Sequence, residues 1–247
     1  MPCALCQMNK PLRKSHIAPE FMYQPMYDSI HRFGAYGRKA EEIPQIYQKG
    51  LREKLLCNDC EQLLANGYEN YAATAFYKPA LEKVKRKPIN FSISGLDYHK
   101  FKLFLISLLW RFGNVTDNVF RPAHLGPHSE KLRKMLLQDD AGDWLDYPCL
   151  VTALTLRGKF YGDFMAGAFS SKACGISVWA FVLSGFLFNF FVGSHCPPQF
   201  LHPLFLKPSG DLNIDVCELR ENESLYQFVS DIGNAQRERR AKLKTKG

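Results

Sequence analysis

Residues 3–21 read CALCQMNKPLRKSHIAPEF, and residues 55–64 read LLCNDCEQLL. The first stretch sets Cys3 and Cys6 in a Cys-x-x-Cys pair and then places a lone histidine, His16, between Ser15 and Ile17. The second repeats the spacing at Cys57 and Cys60 and runs directly into a helical pattern. Each pair can bite a metal ion from a tight knuckle, and four thiolates complete a tetrahedral zinc site. The long segment between the pairs then becomes a closed loop with structure of its own inside it. Two unrelated reduced pairs are the competing reading, which fits poorly because the second pair opens a helix, as zinc knuckles do.

Composition sets the frame around that site. The chain has 247 residues, 46% hydrophobic and 13% aromatic, ample for a packed core. Its start lacks the pattern of an export signal, which predicts a cytoplasmic protein. Of eight cysteines, Cys149, Cys174, Cys196 and Cys217 stand outside the two pairs and read as free thiols in a reducing compartment. The net charge is +8. Residues 1–88 carry 14 Lys and Arg against 9 Asp and Glu, and RERRAKLKTKG (237–247) carries 6 against 1, so the middle is slightly acidic. A polyanion partner accounts for that split; a solubilising tail is the plainer reading of residues 237–247.

After Cys60, EQLLANGYENYAATAFY has helical spacing, and KVKRKPINFSISG marks a domain boundary near residue 88. LDYHKFKLFLISLLWRFG predicts the strongest helix, with Phe101, Phe104, Leu105, Leu108, Leu109 and Phe112 on one apolar face and Gly113 as its stop. HSEKLRKMLLQD predicts a second. From Tyr147 on, YPCLVTALTL, KFYGDFMAGAF, ISVWAFVL and FLFNFFVG read as strands of an antiparallel sheet. Residues 175–193 lack any charge and approach the length of a membrane span. Ser184-Gly185 at their centre favours a buried hairpin instead, so no membrane partner is expected.

The quoted residues resemble the HNH nucleases, the zinc-bound treble-clef branch of the His-Me finger endonucleases. The resemblance spans about residues 1–77: a first Cys-x-x-Cys, a strand ending in His followed by an apolar residue and a proline, then LLC and a second Cys-x-x-Cys on a helix. It implies an α+β chain with an N-terminal zinc-bound treble-clef (ββα-metal) module over residues 1–88. A mixed domain of two helices and an antiparallel sheet (89–236) and a basic tail (237–247) follow. It implies that Cys3, Cys6, Cys57 and Cys60 hold structural zinc. His16 matches the general base that activates water against a DNA phosphodiester, with magnesium or manganese as second ion. Ser15 falls where the family has an Asp or His ligand, and Glu61 where it has a His or Asn. The asparagine before LLC is absent, leaving Glu53 or Asn58 for a supporting role. Arg13, Lys14, Arg38, Lys39, Lys49, Arg52 and Lys54 would contact phosphates. The wider layout resembles bacterial proteins of antiviral defence loci.

The alternative expectation is a non-catalytic zinc adaptor that binds nucleic acid or protein, with residues 89–236 engaging a partner or a second copy. His124 and His128 stand four apart, but the Gly-Pro between them denies them one helix face, and they read as a helix-start loop. His195, Cys196 and His202 show no metal spacing.

Overall fold

The computed structural model describes residues 1–35, 45–116, 120 and 122–244. The chain is mixed α and β. It opens with the first knuckle, then β1 (Leu12–His16), a hairpin of β2 (Arg32–Ala35) and β3 (Gln45–Gln48), and β4 (Arg52–Cys57), which returns antiparallel to β1. Helix α1 (Asn58–Leu64) starts on the second knuckle. Helical turns then run on through α2 (Asn70–Ala72) to α3 (Lys78–Val84), with π-helical turns at Ala65–Glu69 and Ala73–Tyr77. The helical pattern expected after Cys60 is present, and Gly67 sits in the first π segment rather than ending it.

The sequence then crosses to β5 (Asn90–Ile93), α4 (Tyr98–Gly113) and α5 (His128–Gln138). The remaining strands are β6 (Cys149–Leu156), β7 (Lys159–Phe160), β8 (Ala166–Ala173), β9 (Ile176–Leu183), β10 (Phe186–Val192) and β11 (Leu212–Glu218); α6 (Glu223–Lys244) closes the chain. The large sheet runs β5-β11-β6-β10-β9-β8, with β7 beside β6. It is not wholly antiparallel as expected: β11 lies parallel to β6 and adds a strand beyond those expected. Nor does the second half stop at two helices, since α6 is a third and extends through Lys244 into the expected tail.

Residues 176–192 form the β9–β10 hairpin, as Ser184-Gly185 predicts. Both turn residues have positive φ, 51° and 75°, the geometry that matches strand twist. A Cβ on Gly185 would sit 2.5 Å from the Tyr161 carbonyl oxygen, so only glycine fits there. Among the described residues, no helix is long and apolar enough to cross a membrane.

Helix α4 is the centre of the molecule. Its Asp97 cap accepts a hydrogen bond from Lys100 N–H at 3.1 Å. Phe112 stacks on Phe181 of the sheet at 4.1 Å between ring centroids, while Phe101 meets Phe76 of the α1–α3 run at 4.8 Å. The helix is therefore buried from Phe101 to Phe112 on every side, not on one face. The two charged positions within that buried stretch survive because each reaches acceptors: Lys102 donates to the carbonyls of Trp144 and Asp146, and Arg111 reaches a carbonyl and a carboxylate. One apolar cluster extends from Cys3 through α4 to Ile214, so packing continues across residue 88. Leu225 and Leu219 close a smaller cluster on the opposite face of the sheet.

Candidate functional site: a four-cysteine centre beside a basic hairpin

The sulfurs of Cys3, Cys6, Cys57 and Cys60 lie within 4.8 Å of one another. A metal ion about 2.3 Å from four tetrahedral sulfurs separates them by about 3.8 Å. Cys6 Sγ and Cys57 Sγ are 3.8 Å apart. All eight cysteines are free thiols, so these four are not spent on disulfides. The electrostatics also favour a cation. Burial opposes ionisation of Cys3, but backbone N–H groups of Cys57, Cys6 and Leu5 prevail and bring the thiol down to about 7. Cys57 N–H donates to Cys3 Sγ at 3.2 Å. Cys60 and Cys6 are pushed up, first by burial and then by neighbouring sulfurs. Cys3 is thus eased toward the thiolate, while Cys6 and Cys60 resist charge until a dication neutralises them. The donor set and spacing fit zinc.

Beside this centre stands the β1–β4 hairpin. Lys14 pairs opposite Lys54, and His16 opposite Arg52. Directly opposed residues share a face, as do alternate residues along a strand, so Lys14, His16, Arg52 and Lys54 all project to one side. The three cations are exposed. Ser15 and Glu53 point the other way. Ser15 is buried, and its hydroxyl accepts from Leu56 N–H at 3.2 Å. Glu53 accepts from the amide and hydroxyl of Thr116, at 3.0 and 2.8 Å. Arg13, on the irregular step of β1, donates to Asn58 Oδ1 at 3.1 Å. Arg38 and Lys39 lie outside the described residues.

The His16 ring is fixed by contacts that no motif announces. Nε2 lies 3.0 Å from the backbone oxygen of Lys49. A carbonyl only accepts, so Nε2 carries the hydrogen, and in the neutral ring Nδ1 holds the lone pair. Among the described residues, Nδ1 has no hydrogen-bond partner. Glu20 Oε2 lies 2.7 Å from the same Nε2 and is shielded from solvent with no hydrogen bond of its own, while Tyr27 O–H donates to Glu20 Oε1 at 2.7 Å. Lys49 and Gly50 both adopt positive φ, 60° and 69°, which turns the Lys49 carbonyl onto the ring. A Cβ on Gly50 would stand 2.9 Å from His16 Cδ2. Lys49, expected as a phosphate contact, is exposed, and its carbonyl is the one that meets the ring. Glu61 Oε2 is shielded and unpartnered. Among the described residues, the four cysteines are the only cluster of three or more His, Cys, Asp or Glu ligand atoms.

Besides the shared apolar cluster, two guanidinium groups of the second half reach into this module. Arg111 of α4, with a side chain 1% exposed, donates to the His16 carbonyl at 2.8 Å and pairs with Glu69 of the first π segment. Arg133 of α5 donates to the Leu5 carbonyl in the first knuckle at 2.6 Å. Sequence reasoning missed Glu20, Gly50 and both arginines. Only Glu20, four residues past His16, left a readable spacing. Comparison with known protein families, curated proteins and solved structures returns no match.

Proposed function

We propose that the knuckle–hairpin–helix segment is a treble-clef (ββα-metal) module carrying an HNH-type endonuclease centre that cleaves DNA. The observation that supports it best is His16, with Nε2 hydrogen-bonded and Nδ1 open, on a hairpin face shared with Lys14, Arg52 and Lys54. Two lysines directly opposed across strands cost stability. A phosphate backbone laid on that face offsets the cost and releases counterions.

In this reading, His16 Nδ1 takes a proton from a water as its oxygen forms a bond to phosphorus and the bond to the leaving sugar oxygen breaks. Glu20, beside Nε2, stabilises the imidazolium so formed. Lys14, Arg52 and Lys54 hold the strand in register by its phosphates. Glu61, whose shielded Oε2 lacks a partner, would hold magnesium or manganese together with substrate oxygens, an ion that supplies Lewis-acid stabilisation of the leaving group. Ser15 does not fit that ion, because its hydroxyl is buried in the hairpin. The four-cysteine centre sets the hairpin against α1 and takes no part in the chemistry.

Supercoiled plasmid incubated with the full chain tests the proposal. The nuclease converts it to open-circular or linear DNA in magnesium or manganese and stops on chelation. A non-catalytic adaptor retards the plasmid in a gel and leaves it supercoiled under every condition.

A further inference from the structure

The second half of the chain carries a groove that the hairpin chemistry does not use. It has a volume of about 490 Å³ and lies between the outer strands of the large sheet and the start of α5. That size falls within the range of small-molecule sites, about 300–1,000 Å³. Strand register sets its floor. Ser170 of β8 stands opposite Trp179 of β9, and Lys172 stands opposite Ser177. These four residues share a face: an indole flanked by two hydroxyls and an ammonium.

The other wall comes from the loop before α5 and its first residue. The His124 ring meets the Trp179 ring edge-on, with centroids 6.3 Å apart. His128 Nδ1 lies 3.0 Å from the Tyr147 hydroxyl. Burial pushes that phenol up to about 12, so it keeps its proton and can donate to Nδ1 or accept from it. In the tautomer in which the phenol donates, His128 Nε2 bears a hydrogen and offers it to a ligand in the groove. No carboxylate lines the groove among the described residues. The acid nearest in sequence, Glu130, is held by Arg133 at 2.7 Å. The groove therefore combines a half-buried aromatic plate with an ammonium, imidazoles and hydroxyls, and no side chain of opposite charge.

We propose that this groove binds a nucleotide, with the base laid on Trp179 and the phosphate received by Lys172, His128 and the serine hydroxyls. Base–aromatic stacking and phosphate contact by a cation are the two terms such a ligand needs. The inference does not rest on the nuclease reading, since none of these residues belongs to the hairpin.

Titration calorimetry on the full chain, without added divalent metal, tests it with the four ribonucleoside 5′-monophosphates, their nucleosides, inorganic phosphate and a (dT)₈ oligonucleotide. At least one monophosphate is expected to bind, and its nucleoside and phosphate alone to bind at least about tenfold more weakly. Trp179→Ala should weaken the nucleotide by about tenfold or more, and Trp179→Phe should retain most of the affinity. Lys172→Gln should weaken the monophosphate but not its nucleoside. Binding of (dT)₈ alone, lost in the same variants, assigns the nucleotide to a strand rather than to the free pool. The proposal is overturned if neither monophosphates nor (dT)₈ bind at millimolar concentration. It is equally overturned if both bind Trp179→Ala and Lys172→Gln as they bind the unaltered protein. That failure would leave the hairpin proposal standing, because cleavage is read separately.

Discussion

Replacing Arg111 by methionine should strip the protein of much of its stability. The guanidinium is almost fully buried, pairs with Glu69, and donates at 2.8 Å to the carbonyl of His16. Glu69 is itself only 15% exposed. Methionine fills most of the volume, so the loss is electrostatic: an uncompensated carboxylate in the interior and a backbone oxygen without its charged donor. Removing one member of a buried pair costs about 3–5 kcal/mol. In a chain of this length that corresponds to a fall in Tm of roughly 6–20 °C. Urea denaturation followed by tryptophan fluorescence reads the loss directly. The stranded charge makes a second, sharper expectation: adding Glu69→Gln to Arg111→Met should recover at least half of the loss, although it removes a further native group. If Arg111→Met lies within about 1 kcal/mol of the unaltered protein, well short of that cost, or if Glu69→Gln makes the single variant worse, the clamp is not what holds the module to α4.

Three other outcomes follow from the same structure. Lys102 is driven down to about 8 by burial, so between about pH 8 and 10.5 the unfolded chain binds more protons than the folded one. Stability should rise with pH across that window relative to Lys102→Met, at up to about 1.4 kcal/mol per unit, and parallel pH profiles for the two proteins would refute it. Cys57→Ser should lose zinc and lower the Tm of the whole chain, because Cys57 belongs to the cluster that includes α4; elemental analysis finding no zinc in the unaltered protein would reject the metal centre. Deleting residues 237–247 should reduce the slope of log affinity for DNA against log salt by about 0.9 for each phosphate that the end of α6 neutralises, and an unchanged slope would assign that end to solubility.

What the sequence showed and what it hid divides along the range of the interactions. The paired knuckles and the Ser184-Gly185 hairpin are local patterns, and both stand where the spacing put them. Strand β11 was also locally written, in the Pro208-Ser209-Gly210 turn and the alternation of Leu212, Ile214 and Val216 that follows it, although it was not among the expected strands. Helix α6 carried an N-terminal signature too: the Asn222 side chain accepts from Leu225 N–H at 3.1 Å. The burial of α4 on all sides was illegible because Lys102 and Arg111 carry charges that ordinarily stay in water. Only the fold reveals that distant carbonyls receive them. The same holds for His16. Its neighbours in the chain mark it as a candidate base, but the Lys49 carbonyl, Gly50 and Arg111 reach it only after loop closure. The burial of Ser15 was hidden for a related reason, since alternation along β1 turns it inward while His16 faces the other way.

The central claim is that His16 is a base rather than a strut, and plasmid cleavage by His16→Ala tests it most directly. The variant should bind zinc and DNA as the unaltered protein does, because the ring lies on the exposed face and the clamp of Arg111 grips only its backbone. Cleavage should fall by about 10²–10⁴-fold, the usual loss of a positioned base. Cleavage by His16→Ala at the unaltered rate would contradict the account, as would an unaltered, zinc-loaded protein that leaves plasmid intact in both magnesium and manganese.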